Sequence, residues 1–258
     1  MNAELAALFE VLRGQAILAA IVFLRMGAVM AFLPGFGEKI VPTRIRLVLA
    51  LAFTAIVTPA VAPGLQDLIT DQVSFVKLLL CETLIGLALG FILRLFVIAL
   101  EMAGSLAAQS GSLSQMFGAG GEPMPAISHL LVMSGLCLAF MTGLHVRLAG
   151  ALILSYDALP AGVFPGVALM RDWSLGHIGQ SFALAFSLAA PFVIAAFVYN
   201  IALGVINRAM PSLMVSFVGA PALTAGALIL LAISAPLMLS VWMAAFSVFL
   251  ADPFTVPR

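Results

Sequence analysis

Residues 81–104, CETLIGLALGFILRLFVIALEMAG, decide how this chain folds. The stretch is apolar enough to span or line a bilayer, yet it carries Glu82, Arg94 and Glu101. Charges inside an apolar helix are costly unless they face protein, a cavity or water. A helix that tolerates three of them is therefore a buried or pore-lining element rather than a lipid-facing anchor. It leads into residues 109–125, QSGSLSQMFGAGGEPMP, a segment rich in Gly, Ser and Met.

At about 100° per residue, Gly86, Gly90, Arg94, Glu101 and Gly104 fall in one stripe roughly 80° wide. Glu82 lies just off it, and the opposite face is Leu, Ile and Phe. Small residues let helix backbones approach closely, as in Gly86-x-x-x-Gly90. Arg94 and Glu101 are two turns apart, about 10 Å along the axis. That is too far for an easy direct pair, so each is expected to find its partner on another helix or chain. Two readings stay open: a polar seam against a pore or neighbouring subunit, and a structural ion pair inside a single-chain bundle.

The rest of the chain fits this setting. Of 258 residues, 64% are hydrophobic and 9% charged, where a soluble domain has about 25% charged residues. Mean hydropathy is +1.22. The composition is that of an integral membrane protein. Formal net charge is zero, with no basic run to recommend nucleic acid. Cys81 and Cys137 sit in apolar stretches and read as small buried residues, not as a disulfide or metal pair. The N-terminus is a poor signal peptide, so the first span is expected to be retained.

A span needs about 20 apolar residues. Candidates are residues 15–33, 46–61 (ended by Pro59 and Pro63), 78–104, 127–154 and 180–206 with Pro191 inside. Residues 213–250 are too long for one simple span, and Pro221 and Pro236 can break them into a hairpin. This predicts an all-α fold of five to seven helices, polytopic, with broken helices. Basic residues around the first and fifth loops put those loops in the cytoplasm and the N-terminus outside.

Enzymatic chemistry has no foothold. The sequence lacks HExxH, GxSxG and a phosphate-binding loop ending in GK[ST]. His129, His145 and His177 lie in separate regions, and Asp67 and Asp71 read as a solvated loop pair. No catalytic residue, metal or cofactor is expected. Pro191 and Pro221 would suit a small-solute secondary transporter, but no matching inverted halves are present.

Taken together, the motifs resemble the FliR family of flagellar export-gate proteins and its type III secretion counterparts. CETLIGLALGFILRL is similar to the family's Glu-x-x-x-Gly-x-x-x-Gly segment. Four other stretches agree in order. They are FLPGFGEKIVPTRIRLVLAL with Pro34, Gly37, Pro42 and Arg44; EMAGSLAAQSGSLSQ with Ala103, Gly104, Gln109 and Gly111; TGLHVRLAGALILSYDALPAG with His145, Ser155 and Pro160; and LGVINRAMPSLMVSFVGAPAL with Arg208, Pro211 and Pro221. Met214 stands where the family usually has Asn, and Glu122-Pro123 where Asp-Pro is common.

The resemblance covers almost all of residues 1–258, as one export-gate domain. It implies a non-enzymatic part of a hetero-oligomeric helical export gate in the bacterial inner membrane, at the flagellar basal body. Its partners would be FliP-like and FliQ-like subunits and an FlhB-like protein, and its substrates unfolded flagellar subunits. The assembled gate would sit largely above the bilayer plane. Ser112, Met116, Phe117, Gly118, Gly120 and Gly121 would form a plug, where composition alone leaves an ordinary turn open. Glu82, Arg94, Glu101 and Arg208 would make buried polar contacts within or between subunits. The alternatives are a virulence type III secretion subunit and a small-solute transporter.

Overall fold

Four of the apolar runs form helices longer than the patterning predicts: those at 15–33, 46–61, 78–104 and 180–206. The computed structural model describes residues 2–37, 41–66, 75–111, 126–209 and 215–255. Among these, seven helices and no strand occur: α1 (Asn2–Phe32), α2 (Thr43–Leu65), α3 (Phe75–Ser110), α4 (Ala126–Met141), α5 (Leu144–Ala158), α6 (Val167–Ala209) and α7 (Val215–Ala251). Five of them are long and apolar enough to cross a membrane, and the α4–α5 pair, bent by 76°, is either a broken span or a re-entrant loop. The protein is an all-α polytopic membrane protein.

Three boundaries differ from expectation. Pro59 and Pro63 do not end α2 but lie inside it. A proline removes one backbone donor, and membrane helices tolerate this where neighbours re-satisfy the freed groups. The carbonyls freed here are those of Ala55 and Pro59, while the Thr54 and Thr58 hydroxyls donate at 2.7 Å to the Ala50 and Thr54 carbonyls. Residues 215–251 form one helix with Pro221 and Pro236 inside it, not a hairpin. The fourth predicted span is instead two helices, broken where Gly143 takes φ +82°. Only glycine adopts that backbone geometry freely.

The described residues form two compact units: residues 1–95, 143–178 and 248–258, and residues 96–142 and 179–247. In the first, α2 packs on α1 and α5, and Val22, Met26, Val29, Val57, Ile85 and Leu148 are buried. Trp173 donates from Nε1 to the Pro253 carbonyl at 2.8 Å and stacks on Phe254. In the second, Leu100, Leu131, Phe192 and Phe246 are buried, and Trp242 stacks on Phe246 and donates from Nε1 to the Phe96 carbonyl at 2.8 Å.

Candidate functional site

The charged helix meets its partner within the first unit. A methyl group on Gly86 would lie 2.5 Å from the Arg25 carbonyl oxygen and 2.7 Å from the Ala28 Cβ. One on Gly90 would lie 2.8 Å from the Val29 oxygen. The Gly86-x-x-x-Gly90 face therefore brings α3 into backbone contact with α1. That approach puts Arg25 within reach of Glu82, one turn back along α3.

Both side chains are completely buried, and Arg25 Nε meets Glu82 Oε2 at 2.8 Å. Arg25 Nη1 donates to the Ser155 carbonyl and hydroxyl oxygens, each at 2.9 Å, and Nη2 donates to the Leu159 carbonyl at 2.9 Å. Glu82 Oε1 accepts from the Gly162 amide at 3.1 Å. The guanidinium carbon lies 3.8 Å from the centre of the Tyr156 ring, a cation–π contact. Cys81, next to Glu82, donates from Sγ to the Val163 carbonyl at 2.9 Å.

The arrangement performs two tasks. It neutralises a charge that hydrocarbon would reject, and it satisfies backbone groups at the end of α5, where orphan carbonyls favour a cation. A planar arginine suits this site because its fixed fork of donors can serve a carboxylate and carbonyls at once.

Of the sequence-predicted residues, Glu82, Gly86 and Gly90 belong to this node. Arg94 lies three turns beyond Glu82 on α3, half-buried and engaged in a further interaction. Within this chain Gly86 and Gly90 pack on α1 and Gly104 packs on α4. These two helices supply the close-packed surfaces. Gly104 lies in the second unit, where a methyl would overlap the Ser128 backbone on α4. Glu101 is half-buried in that same unit. Arg208, expected in buried polar contacts, is exposed near the end of α6. Its position in the last helical turn gives a cation at the negative end of the helix dipole. Ser112, Met116, Phe117, Gly118, Gly120 and Gly121 lie outside the described residues, as do Pro211, Met214, Glu122 and Pro123.

Arg25 and Tyr156 were missed by sequence reasoning. The signal for Arg25 was present: a lone arginine in AILAAIVFLRMGAVMAF, residues 16–32. An ionisable residue inside an apolar span is by default a functional-site hypothesis with a partner to be named. Among the described residues no group of three or more His, Cys, Asp or Glu side chains is placed to hold a metal ion.

Fold and node together define a polytopic membrane protein whose apolar helices are pinned by a buried charge pair. Residues 16–248 match the family described as bacterial export proteins, family 1, and the chain belongs to that family. The flagellar biosynthetic protein FliR of Caulobacter vibrioides is 33% identical over 233 residues, covering 88% of this chain and 92% of that protein. Its counterpart of the same name in Aquifex aeolicus is 30% identical over 224 residues, 84% of each chain. The Yop proteins translocation protein T of Yersinia pestis is 31% identical over 191 residues, 71% of this chain and 72% of that protein.

Proposed function

We propose that this chain is a non-enzymatic subunit of a flagellar type III export gate in the bacterial inner membrane. With FliP-like and FliQ-like subunits it forms the channel through which unfolded flagellar subunits leave, in association with an FlhB-like protein. The observation that carries this reading is the similarity to a flagellar relative across 88% of the chain. Helix lengths support it. The 43 residues of α6 have a contour length of about 64 Å at 1.5 Å per residue, against roughly 30 Å of hydrocarbon. Large apolar side chains stay exposed along it, among them Phe186, Ile194 and Phe197. Lipid alone covers so long an apolar surface poorly, whereas partner helices in a gate raised above the bilayer plane would cover it well.

In this reading residues 112–121 close the channel at rest. Their Gly, Ser, Met and Phe content suits a segment that must seal and then yield, since Gly frees the backbone and Met adapts its shape. The test is co-purification with the FliP-like and FliQ-like subunits of the same organism, with mass measurement of the intact complex. Recovery of the chain alone would overturn the assignment. Deleting 112–121 should raise conductance of the reconstituted complex, and unchanged conductance would exclude the plug. A virulence secretion system is the second reading, favoured by the Yersinia relatives. Export of flagellin-type substrates against injected effectors separates the two.

A further inference from the structure

We infer that a groove between α6 and α7 holds one acyl chain of a membrane phospholipid. The groove lies within the second unit and encloses about 330 Å³. Along α7 it runs from Ala222 to Ile233, about 16 Å at 1.5 Å per residue. Its character changes over that length. Toward the start of α7, the Tyr199 hydroxyl donates to the Gly219 carbonyl at 2.8 Å, and the Thr224 hydroxyl to the Gly111 carbonyl at 3.4 Å. Ser110, at the end of α3, joins Tyr199 and Gly111 in the lining. Two to three turns further along, Ile229 and Ile233 are 62% and 73% exposed. Gly226 lies midway, and a methyl group there would meet nothing within 4 Å.

Size and polarity select the occupant. An α-helix with its side chains is about 10–12 Å across, so one of the same length would need roughly 1,300 Å³ or more. A partner helix could rest on the rim without entering. An extended peptide would bring backbone groups that the apolar stretch cannot serve. An acyl chain is narrow and has no polar group to satisfy along its length. The polar end suits the rest of the lipid. Helix ends lie where tail meets headgroup, and α3 ends at Ser110 while α7 begins at Val215. A tyrosine is favoured at that level, with its ring in the apolar layer and its hydroxyl toward water. The Ser110 and Tyr199 hydroxyls already donate, to the Leu106 and Gly219 carbonyls. Each keeps acceptor lone pairs for the water that accompanies a glycerol ester. Both walls come from helices that are long and apolar enough to cross a membrane and stay largely exposed, so lipid is at hand when they insert.

The inference stands apart from the export-gate reading, because the whole lining comes from one chain. The probe is phosphatidylethanolamine with a photoreactive diazirine near the end of one acyl chain, reconstituted with the full chain, alone and with its co-purifying subunits. Labels should concentrate, by mass spectrometry, on residues 229–233 and on Phe192 of the lining. A diazirine beside the ester should label Ser110 and Tyr199 instead. Gly226→Leu fills the middle of the groove and should lower labelling of 229–233 about tenfold, the loss expected for displacing two methylenes. Its melting temperature should not fall, since the new side chain meets no neighbour at its base. Gly204→Leu, also on open space but outside the lining, should leave labelling unchanged. Labels spread evenly over the exposed side chains of α6 and α7, as a loose lipid shell gives, would overturn the inference. So would labelling insensitive to Gly226→Leu, or labels confined to a partner helix. A chain that fails to co-purify with FliP-like subunits but keeps the labelled groove would sink the gate assignment and leave the acyl site standing. A gate that assembles normally with no label in the groove would do the reverse.

Discussion

Helix α3 is anchored twice by a glycine pressed against a neighbouring helix, and the chemistry beside the two glycines differs. In the first unit, Gly86 lies on α1 and the adjoining contact is a fully buried Arg25–Glu82 pair. In the second, Gly104 lies on α4 and the adjoining contact is neutral, a Ser128 hydroxyl donating to the Glu101 carbonyl. The surrounding backbone accounts for the difference. Beside Gly86 the chain leaves α5, and the Leu159 carbonyl and Gly162 amide need partners away from water. A guanidinium and a carboxylate supply them together. Beside Gly104 the first turn of α4 crosses α3, and the Ser128 hydroxyl makes polar contacts with the Glu101 carbonyl and the Ser105 hydroxyl.

The comparison breaks first at the charge. Glu82→Ala leaves Arg25 buried and uncompensated, which should cost about 3–5 kcal/mol and appear as early thermal unfolding in detergent. Arg25→Met with Glu82→Leu should recover much of that loss, because apolar replacements of a buried pair are often tolerated. The recovery should be incomplete, since the Leu159 carbonyl loses the Arg25 donor and the Gly162 amide loses the Glu82 acceptor. A double variant as stable as the parent would show that the backbone contacts contribute nothing.

The glycines come next. Gly86→Ala and Gly104→Ala each push a methyl into backbone and should destabilise by roughly 1–3 kcal/mol. Gly150→Ala in α5, with open space around it, should instead stabilise the helix by about 0.5–1 kcal/mol. Equal melting shifts for all three would refute the close-approach account. A change in the second unit's core is Trp242→Phe, which keeps a ring against Phe246 but removes the bond to the Phe96 carbonyl. A loss of about 1 kcal/mol is expected, read from the same unfolding curves.

Much of this was legible beforehand. The all-α polytopic class follows from composition, and the importance of Glu82, Gly86 and Gly90 from their helical spacing. The family followed from five motifs in order. What resisted was the pairing. Nothing local marks Ser128 as the surface that Gly104 needs, 24 residues on, or Ser155 as the acceptor for a guanidinium 130 residues earlier in the chain. Arg25 was readable by the rule that drew notice to Glu82. It stood alone among apolar residues, while residues 81–104 advertised themselves with three charges. The unbroken α7 escaped because proline's disruption of an isolated helix is a poor guide to a helix in apolar surroundings. The Thr142–Gly143 break escaped because one glycine in an apolar run does not declare its φ.

The Arg25–Glu82 pair also has a history in time. Arg25 leaves the ribosome 57 residues ahead of Glu82 and 130 ahead of Ser155. At about 5–20 residues per second, the guanidinium waits roughly 3–11 s for its counter-ion and longer for the carbonyls. During that interval the first helix cannot settle into lipid on its own terms. Until α3 arrives the lone guanidinium adds about 2.5–3.5 kcal/mol to the insertion of this helix on translocon scales, so the order of synthesis sets when that cost is relieved.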